Sequence, residues 1–228
     1  MHSLLLLHGA IGAQSQLVPL AALLANSYDV HLLNFSGHGG EAIPAHPFSI
    51  ESFAEDVIKF MKEKGLAQVS IFGYSMGGYV AMYLAKHHPE KINKIVTLAT
   101  KYHWDEVIAA KEVQMLDPEK IEIKIPAFAN ALKERHLLQN WKDVLGKTAE
   151  MMKALGQHNT LQIEDYASIT APALLLLGDR DKMVSIDETI NVYKSLPAAQ
   201  MAILPNTAHP IEQADKDLLA YFIKRFIQ

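Results

Sequence analysis

The sequence predicts an α/β protein built on a mostly parallel sheet of about six strands flanked by helices, with a helical insertion. Three observations carry that expectation. Short, continuously apolar runs recur along the chain, as in strands buried on both faces of a parallel sheet. They alternate with segments of helical periodicity. Between Lys101 and Thr170 the alternation stops: charges rise, β-branched runs vanish and amphipathic helical patterns take over.

Ser3 to Leu7 is the first apolar run, so the chain enters the core at once. His8-Gly9-Ala10-Ile11-Gly12 reads as a loop, and the next segment, Gln16 to Ala25, carries Leu17, Leu20, Leu23 and Leu24 at helical spacing. A second strand is expected over Val30 to Phe35, ending in the turn Ser36-Gly37-His38-Gly39-Gly40. After an irregular stretch with two prolines, Ser49 is a suitable N-cap for a helix from Ile50 to Lys64, which Gly65 stops. Val69 to Phe72 is the next strand, and a helix continues to His88, ahead of Pro89. Ile92 to Thr100 follows as a strand. Within the insertion, helices are expected over Trp104 to Met115, Pro118 to Leu138 and Asn140 to Leu155. Strands at Pro172 to Leu177 and Gln200 to Leu204 and helices at Asp187 to Ser195 and Pro210 to Ile227 complete the chain. Residues 1–100 and 171–228 are thus expected to form one core and residues 101–170 a helical cap insertion.

Composition limits the function. With 228 residues, 50% of them hydrophobic and 20% charged, the chain can fill one core and is short for two. A net charge of −4 leaves no broad basic footprint, which speaks against nucleic acid or an anionic membrane surface as a partner and for a small molecule. The absence of cysteine removes disulfides, thiolate metal sites and a cysteine nucleophile. No H-E-x-x-H pair is present and the remaining histidines are scattered, so no metal is implied. The leucine run at the start lacks a basic leader, and no apolar stretch approaches the roughly 20 residues of a membrane helix. A soluble, cytoplasmic protein is expected.

The chemistry centres on Gly73-Tyr74-Ser75-Met76-Gly77, a Gly-x-Ser-x-Gly pattern between a strand and a helix. Such a turn strains the backbone at the serine, exposes its hydroxyl at the top of the sheet and aims the following N–H, that of Met76, at a developing oxyanion. The glycines on either side let strand and helix approach closely. A serine hydroxyl is a weak nucleophile and needs a base, itself oriented by a third group. Asp181 follows the strand Ala173 to Leu177, and His209 follows the strand Met201 to Leu204. Both loops and the serine turn belong to the C-terminal edge of a parallel sheet, where ligands bind. Asp179 stands two residues from Asp181 and is the other carboxylate on offer.

Taken together these motifs resemble the α/β-hydrolase superfamily, specifically a compact serine esterase or lyase type with a helical cap, and the resemblance covers essentially the whole chain. His8-Gly9 is similar to the family's H-G loop, whose following amide, here Ala10, helps form the oxyanion hole. Gly37-His38-Gly39 matches its G-H-G turn, Gly178-Asp179-Arg180-Asp181 its acid loop, and Ala208-His209 its histidine loop. The resemblance implies Ser75 as nucleophile, His209 as base, Asp181 rather than Asp179 as its partner, and Ala10 and Met76 as oxyanion donors. It implies acyl transfer to water from a small carboxylic ester or thioester, with no cofactor. The same scaffold also supports a C–C hydrolase or lyase using His209 as base, and a ligand-sensing protein with little turnover. Two departures stand out. The chain opens on what resembles the family's third strand, so the usual antiparallel N-terminal strands are expected to be missing. Asn34 and Ser36 replace an Asp and Arg often found before Gly37, which removes a structural ion pair.

Tyr102 and His103, just after a strand on the ligand edge, are the expected substrate contacts. Of Trp104, Met115, Phe128, Trp141, Met151, Met152 and Tyr166, two or three are expected to line an acyl pocket, the rest being core. His8 and His38 read as structural loop residues, and Tyr74 and Tyr79 as packing as much as function.

Overall fold

A computed structural model describes every residue of the chain except Leu138. Six strands form one sheet: β1 (Ser3–Leu7), β2 (Asp29–Leu33), β3 (Val69–Tyr74), β4 (Ile92–Leu98), β5 (Ala173–Gly178) and β6 (Ala199–Leu204). Their order is β2-β1-β3-β4-β5-β6, and every neighbouring pair is parallel. The helices of the strand-helix alternation are α1 (Val18–Leu24), α2 (Ile50–Glu63), α3 (Met76–His87), α8 (Ile186–Ser195) and α9 (Lys216–Ile227). Between β4 and β5 lie α4 (Glu106–Val113), α5 (Pro118–Lys124), α6 (Pro126–His136) and α7 (Trp141–Gln157).

The leucines of β1 explain why an apolar run need not alternate. Leu4 and Leu6 face a layer that includes Leu20 of α1 and Leu219 and Ile223 of α9, whereas Leu5 and Leu7 face Val57 of α2, Val80 of α3 and Val192 of α8. Both faces of the sheet are covered, so both sets are buried. Edge strands β2 and β6 keep partly exposed positions along most of their length. The two helical layers follow from handedness. The connection from β1 moves to one side of the sheet and those from β2 and β3 to the other, and right-handed crossovers in opposite directions put their helices on opposite faces.

Local signals act largely as expected. The Ser49 hydroxyl caps α2 by accepting from the Ser52 N–H, and Gly65, at φ +67°, ends it in the left-handed conformation that glycine favours. Two helices differ from expectation. The run expected as one helix from Pro118 to Leu138 is broken at Ile125, whose φ of −139° and ψ of 61° avoid the helical region ahead of Pro126; its last residue, Leu138, lies outside the described residues. The closing helix starts at Lys216 rather than Pro210, because the Asp215 carboxylate accepts from the Asp217 and Leu218 amides and fixes the N-terminus there. Among the described residues no helix is long and apolar enough to cross a membrane.

The sheet order places one crevice. The chain leaves the C-terminal end of β1 toward β2 and leaves β3 toward β4, so the loops after these adjacent strands diverge. In a parallel sheet such a divergence opens the gap in which ligands bind.

Candidate active site

Ser75 stands at that gap, as the residue between β3 and α3, with φ of 51° and ψ of −118°. A non-glycine residue there stores on the order of 1–3 kcal/mol of strain and persists only where its surroundings hold it. They do so on both sides. The Ser75 N–H donates to the Leu98 carbonyl at 2.8 Å, and its own carbonyl accepts from the Gly78 N–H at 3.0 Å and from the Thr100 hydroxyl at 3.1 Å. The flanking glycines are required by space: a Cβ on Gly73 would lie 2.5 Å from the Gly77 backbone, and one on Gly77 would lie 2.6 Å from the Leu7 carbonyl oxygen. The first turn of α3 therefore sits directly over the ends of β1 and β3, as the motif predicts.

Peptide planarity then fixes the next amide. The C=O and N–H of a trans peptide point in opposite directions, and no cis peptide is present among the described residues. Since the Ser75 carbonyl is turned toward Gly78 and Thr100, the Met76 N–H is turned the other way. The β1 loop repeats the device. The Gly9 carbonyl accepts from His8 Nδ1 at 2.7 Å and from the Gly12 N–H at 3.1 Å, which turns the Ala10 N–H away from both. Neither amide finds an acceptor among the described residues, and Ala10 and Met76 line one cavity with Ser75.

His8 itself is fully buried. Its Nε2 accepts from the Phe35 N–H at 3.2 Å, which assigns the ring proton to Nδ1 and makes it the donor to Gly9. Burial pushes its pKa down to about 4, so the imidazole is neutral at working pH and both hydrogen bonds are kept. His38 lies beside it, ring centroids 5.2 Å apart, and contacts the loop rather than the cavity. The expected loss of an ion pair before Gly37 is made good differently: the Ser36 N–H and hydroxyl both donate to the Asp56 carboxylate, and Asn34 bonds to the Gln14 amide and the Gly39 carbonyl.

Asp181 and His209 come together from the loops after β5 and β6. His209 Nδ1 and Asp181 Oδ2 are 2.8 Å apart, and Asp181 Oδ1 accepts from the Met183 and Val184 amides at 2.8 and 2.9 Å. The carboxylate is 1% exposed. Burial alone would raise its pKa, but the His209 contact and the two amides outweigh that and hold it below the ordinary value. Asp179 does something else: it accepts from the Thr207 N–H at 3.1 Å and so ties the two loops together. The Tyr74 hydroxyl donates to the His209 carbonyl at 3.1 Å, linking the serine turn to the histidine loop. His209 lines the same cavity as Ser75. The Ser75 hydroxyl itself makes no hydrogen bond among the described residues.

The cavity holds about 250 Å³. Its walls are mainly apolar: Ile50 and Tyr79 from the sheet side, Leu116, Phe128, Met151, Met152 and Leu155 from the β4–β5 segment, and Met183 and Val184 beside Asp181. Trp104, Phe128, Met151 and Met152 thus line it, four where two or three were expected. Met115 is 49% exposed, while Trp141 and Tyr166 are buried in apolar clusters behind the cavity wall and do not line it.

The two expected substrate contacts are corrected. Tyr102 is 3% exposed and bonds to the Thr97 hydroxyl at 2.7 Å, with its backbone N–H on Glu188, so it is a core residue. His103 projects outward and pairs with Asp105 at 3.5 Å. Neither lines the cavity; their neighbours Lys101 and Trp104 do. The chain leaves β4 with Ala99 at φ +54°, a left-handed kink after the strand that breaks simple alternation and is not legible in the sequence. Four polar residues were missed altogether: Gln16, Lys101, Arg135 and Glu212 also line the cavity. The Lys101 ammonium lies 4.0 Å from Glu112 and 3.9 Å from Glu188, both largely buried. Among the described residues no cluster of three or more His, Cys, Asp or Glu side chains is arranged to hold a metal ion.

The chain belongs to the α/β-hydrolase family: the family model described as the alpha/beta hydrolase fold matches residues 2–119. It is 26% identical, over 90% of its length and 86% of the relative's, to a pimeloyl-[acyl-carrier protein] methyl ester esterase of Vibrio vulnificus. It is 24% identical to a poly(3-hydroxyalkanoate) depolymerase of Ectopseudomonas oleovorans, over 98% of this chain and 84% of the other. Among solved structures, a 2-hydroxy-6-oxo-6-phenylhexa-2,4-dienoate hydrolase from Rhodococcus superposes with a TM-score of 0.81 at 21% identity, covering 99% of this chain and 90% of that one. The family and its esterase-named relatives make the chain a hydrolase.

Proposed function

We propose that the protein is a serine hydrolase that cleaves a small carboxylic ester or thioester through an acyl-enzyme on Ser75. The observation that carries this reading is the Asp181–His209 hydrogen bond, which ends at the wall of the cavity where Ser75 stands on its strained turn. The Ser75 hydroxyl attacks the substrate carbonyl carbon while His209 Nε2 takes its proton, and Asp181 holds the imidazole in the Nδ1–H tautomer. The charge that forms on the carbonyl oxygen is met by the Ala10 and Met76 N–H groups, each such donor accounting for about 10²–10³ in rate. His209 returns the proton to the leaving oxygen or sulfur as its bond to the acyl carbon breaks. Water then attacks the acyl carbon by the same route and frees Ser75. The apolar walls and modest volume favour a short, uncharged acyl group, and the esterase names among the relatives support an ester as the substrate class.

The test is the Ser75→Ala variant with p-nitrophenyl butyrate. Its kcat is expected to fall by about 10⁴-fold or more, and a rate equal to that of the unmodified protein refutes the reading. A C–C hydrolase in which His209 acts directly on the substrate is the second reading, favoured by the unengaged Ser75 hydroxyl. Rapid-quench mass spectrometry separates the two: an acyl adduct on Ser75 during turnover supports the first, and turnover without any adduct supports the second.

A further inference from the structure

The β1 loop contains a second strained residue, and what restrains it comes from far along the chain. Ile11 has φ of +52°, a left-handed conformation that a β-branched side chain rarely adopts. Its carbonyl accepts two hydrogen bonds, from Arg135 Nη1 at 3.0 Å and from His136 Nε2 at 3.1 Å. Both donors stand at the C-terminal end of α6. His136 is fully buried, and its Nδ1 accepts from the Gly39 N–H at 3.2 Å, which assigns the ring proton to Nε2. One imidazole therefore joins three segments: α6, the loop after β1 and the turn after β2. Arg135 makes a comparable link, since its Nη2 lies 3.3 Å from Glu212 Oε1, just beyond the His209 loop, and Gln16 Nε2 donates to that same oxygen at 2.6 Å.

We infer that His136 and Arg135 are positioning residues: by holding the Ile11 carbonyl from the helical segment between β4 and β5, they keep the Ala10 N–H aimed at the oxyanion. The inference rests on the serine-hydrolase reading for what that amide does, and on the structure alone for what holds the loop. The Ala10 N–H shares its peptide plane with the Gly9 carbonyl, and a single peptide, Ala10–Ile11, separates that plane from the one that carries the Ile11 carbonyl. With the Gly9 carbonyl fixed by His8 and the Ile11 carbonyl fixed by α6, the Ala10 N–H has little freedom between them. The transition state is then bound tightly only when α6 is docked, whereas ground-state binding in the apolar walls depends on it less.

Paired substitutions at His136 test this, because each amide side chain keeps one half of the imidazole's bonding. His136→Gln retains a donor at the reach of Nε2 and gives up Gly39; His136→Asn retains an acceptor near Nδ1 and gives up Ile11. With p-nitrophenyl butyrate, His136→Asn is expected to lower kcat by about ten-fold with KM within two-fold. Inhibition by phenylboronic acid, whose serine adduct mimics the oxyanion, should weaken in proportion to kcat, and His136→Gln should recover most of the loss. In the free protein, hydrogen exchange at the Gly12 amide reports the loop without any chemistry: protection falls in His136→Asn and is largely kept in His136→Gln. Equal behaviour of the two variants, or a loss confined to KM, overturns the inference. If ester hydrolysis does not depend on Ser75, the function proposed above fails while the exchange comparison still decides whether α6 holds the loop. Should His136→Asn not fold, Arg135→Met removes the other donor from the same carbonyl and is read at Gly12 in the same way.

Discussion

Ala10 and Met76 line one cavity, yet their backbone amides are held in different ways. The Met76 N–H is fixed mainly by its immediate neighbours, Ser75 in its strained conformation, Gly77 beneath and the Gly78 donor on the Ser75 carbonyl, with Thr100 adding one bond from the end of the adjacent strand. The Ala10 N–H depends on His8 next to it in sequence and on Arg135 and His136 more than 120 residues away. One half of the site is therefore a property of a short peptide, and the other of the folded whole. A motif is visible in the first case because the residues whose type the geometry dictates, Gly73, Ser75 and Gly77, are nearly contiguous.

The contrast can be broken most forcefully on the local side. Gly77→Ala would drive a methyl group into the Leu7 and His8 carbonyl oxygens, which are backbone and cannot swing aside. A loss of about 3 kcal/mol in stability is expected, measured as a lower urea midpoint, together with a collapse of ester hydrolysis. The long-range side is the more sensitive to acid. His8 and His136 both have pKa values pushed down to about 4, in each case chiefly by burial, against 6.5 in the unfolded chain. Between pH 6.5 and about 4 the unfolded state binds protons that the folded state refuses, so stability falls as pH falls through that window and is level with respect to these groups above it. For His8, which is fully buried, the contribution approaches about 3 kcal/mol. Urea midpoints at pH 7.5, 6 and 5 should decline in that order, and the decline should be shallower in His136→Gln. The smallest effect is expected where the serine turn meets the histidine loop. Tyr74→Phe removes the hydroxyl that holds the His209 carbonyl while leaving the ring, at a cost of about 1 kcal/mol; kcat should drop a few-fold, and an unchanged kcat would separate the serine turn from the histidine loop.

How much the sequence revealed follows the same division. The strands were legible because both faces of a parallel sheet demand apolar side chains, and Leu4 to Leu7 supply them without a break. The cap at Ser49 and the glycines of the serine turn were legible because each acts within a few residues. The break at Ile125 was also written locally, in the proline that follows it, but a helical pattern running through Pro118 to Leu138 masked it. The choice of Tyr102 and His103 failed by one position on each side: the kink at Ala99 turns Lys101 and Trp104 toward the cavity instead. Arg135, Gln16 and Glu212 carry no sequence signal at all. A polar residue on an amphipathic helix reads as solvent-facing, and only the docking of α6 over the β1 loop brings Arg135 to the cavity, where it meets the Glu212 carboxylate that Gln16 also bonds.

The Asp181 carboxylate carries one more consequence. Both of its oxygens are engaged before any substrate arrives, one by two backbone amides and the other by His209, and almost none of its surface meets water. A proton gained by His209 would face an environment of fixed dipoles already oriented for a positive imidazole, so little energy would go into reorienting the surroundings during the transfer. The reorganisation that bulk solvent would demand at each turnover was met once, when the chain folded.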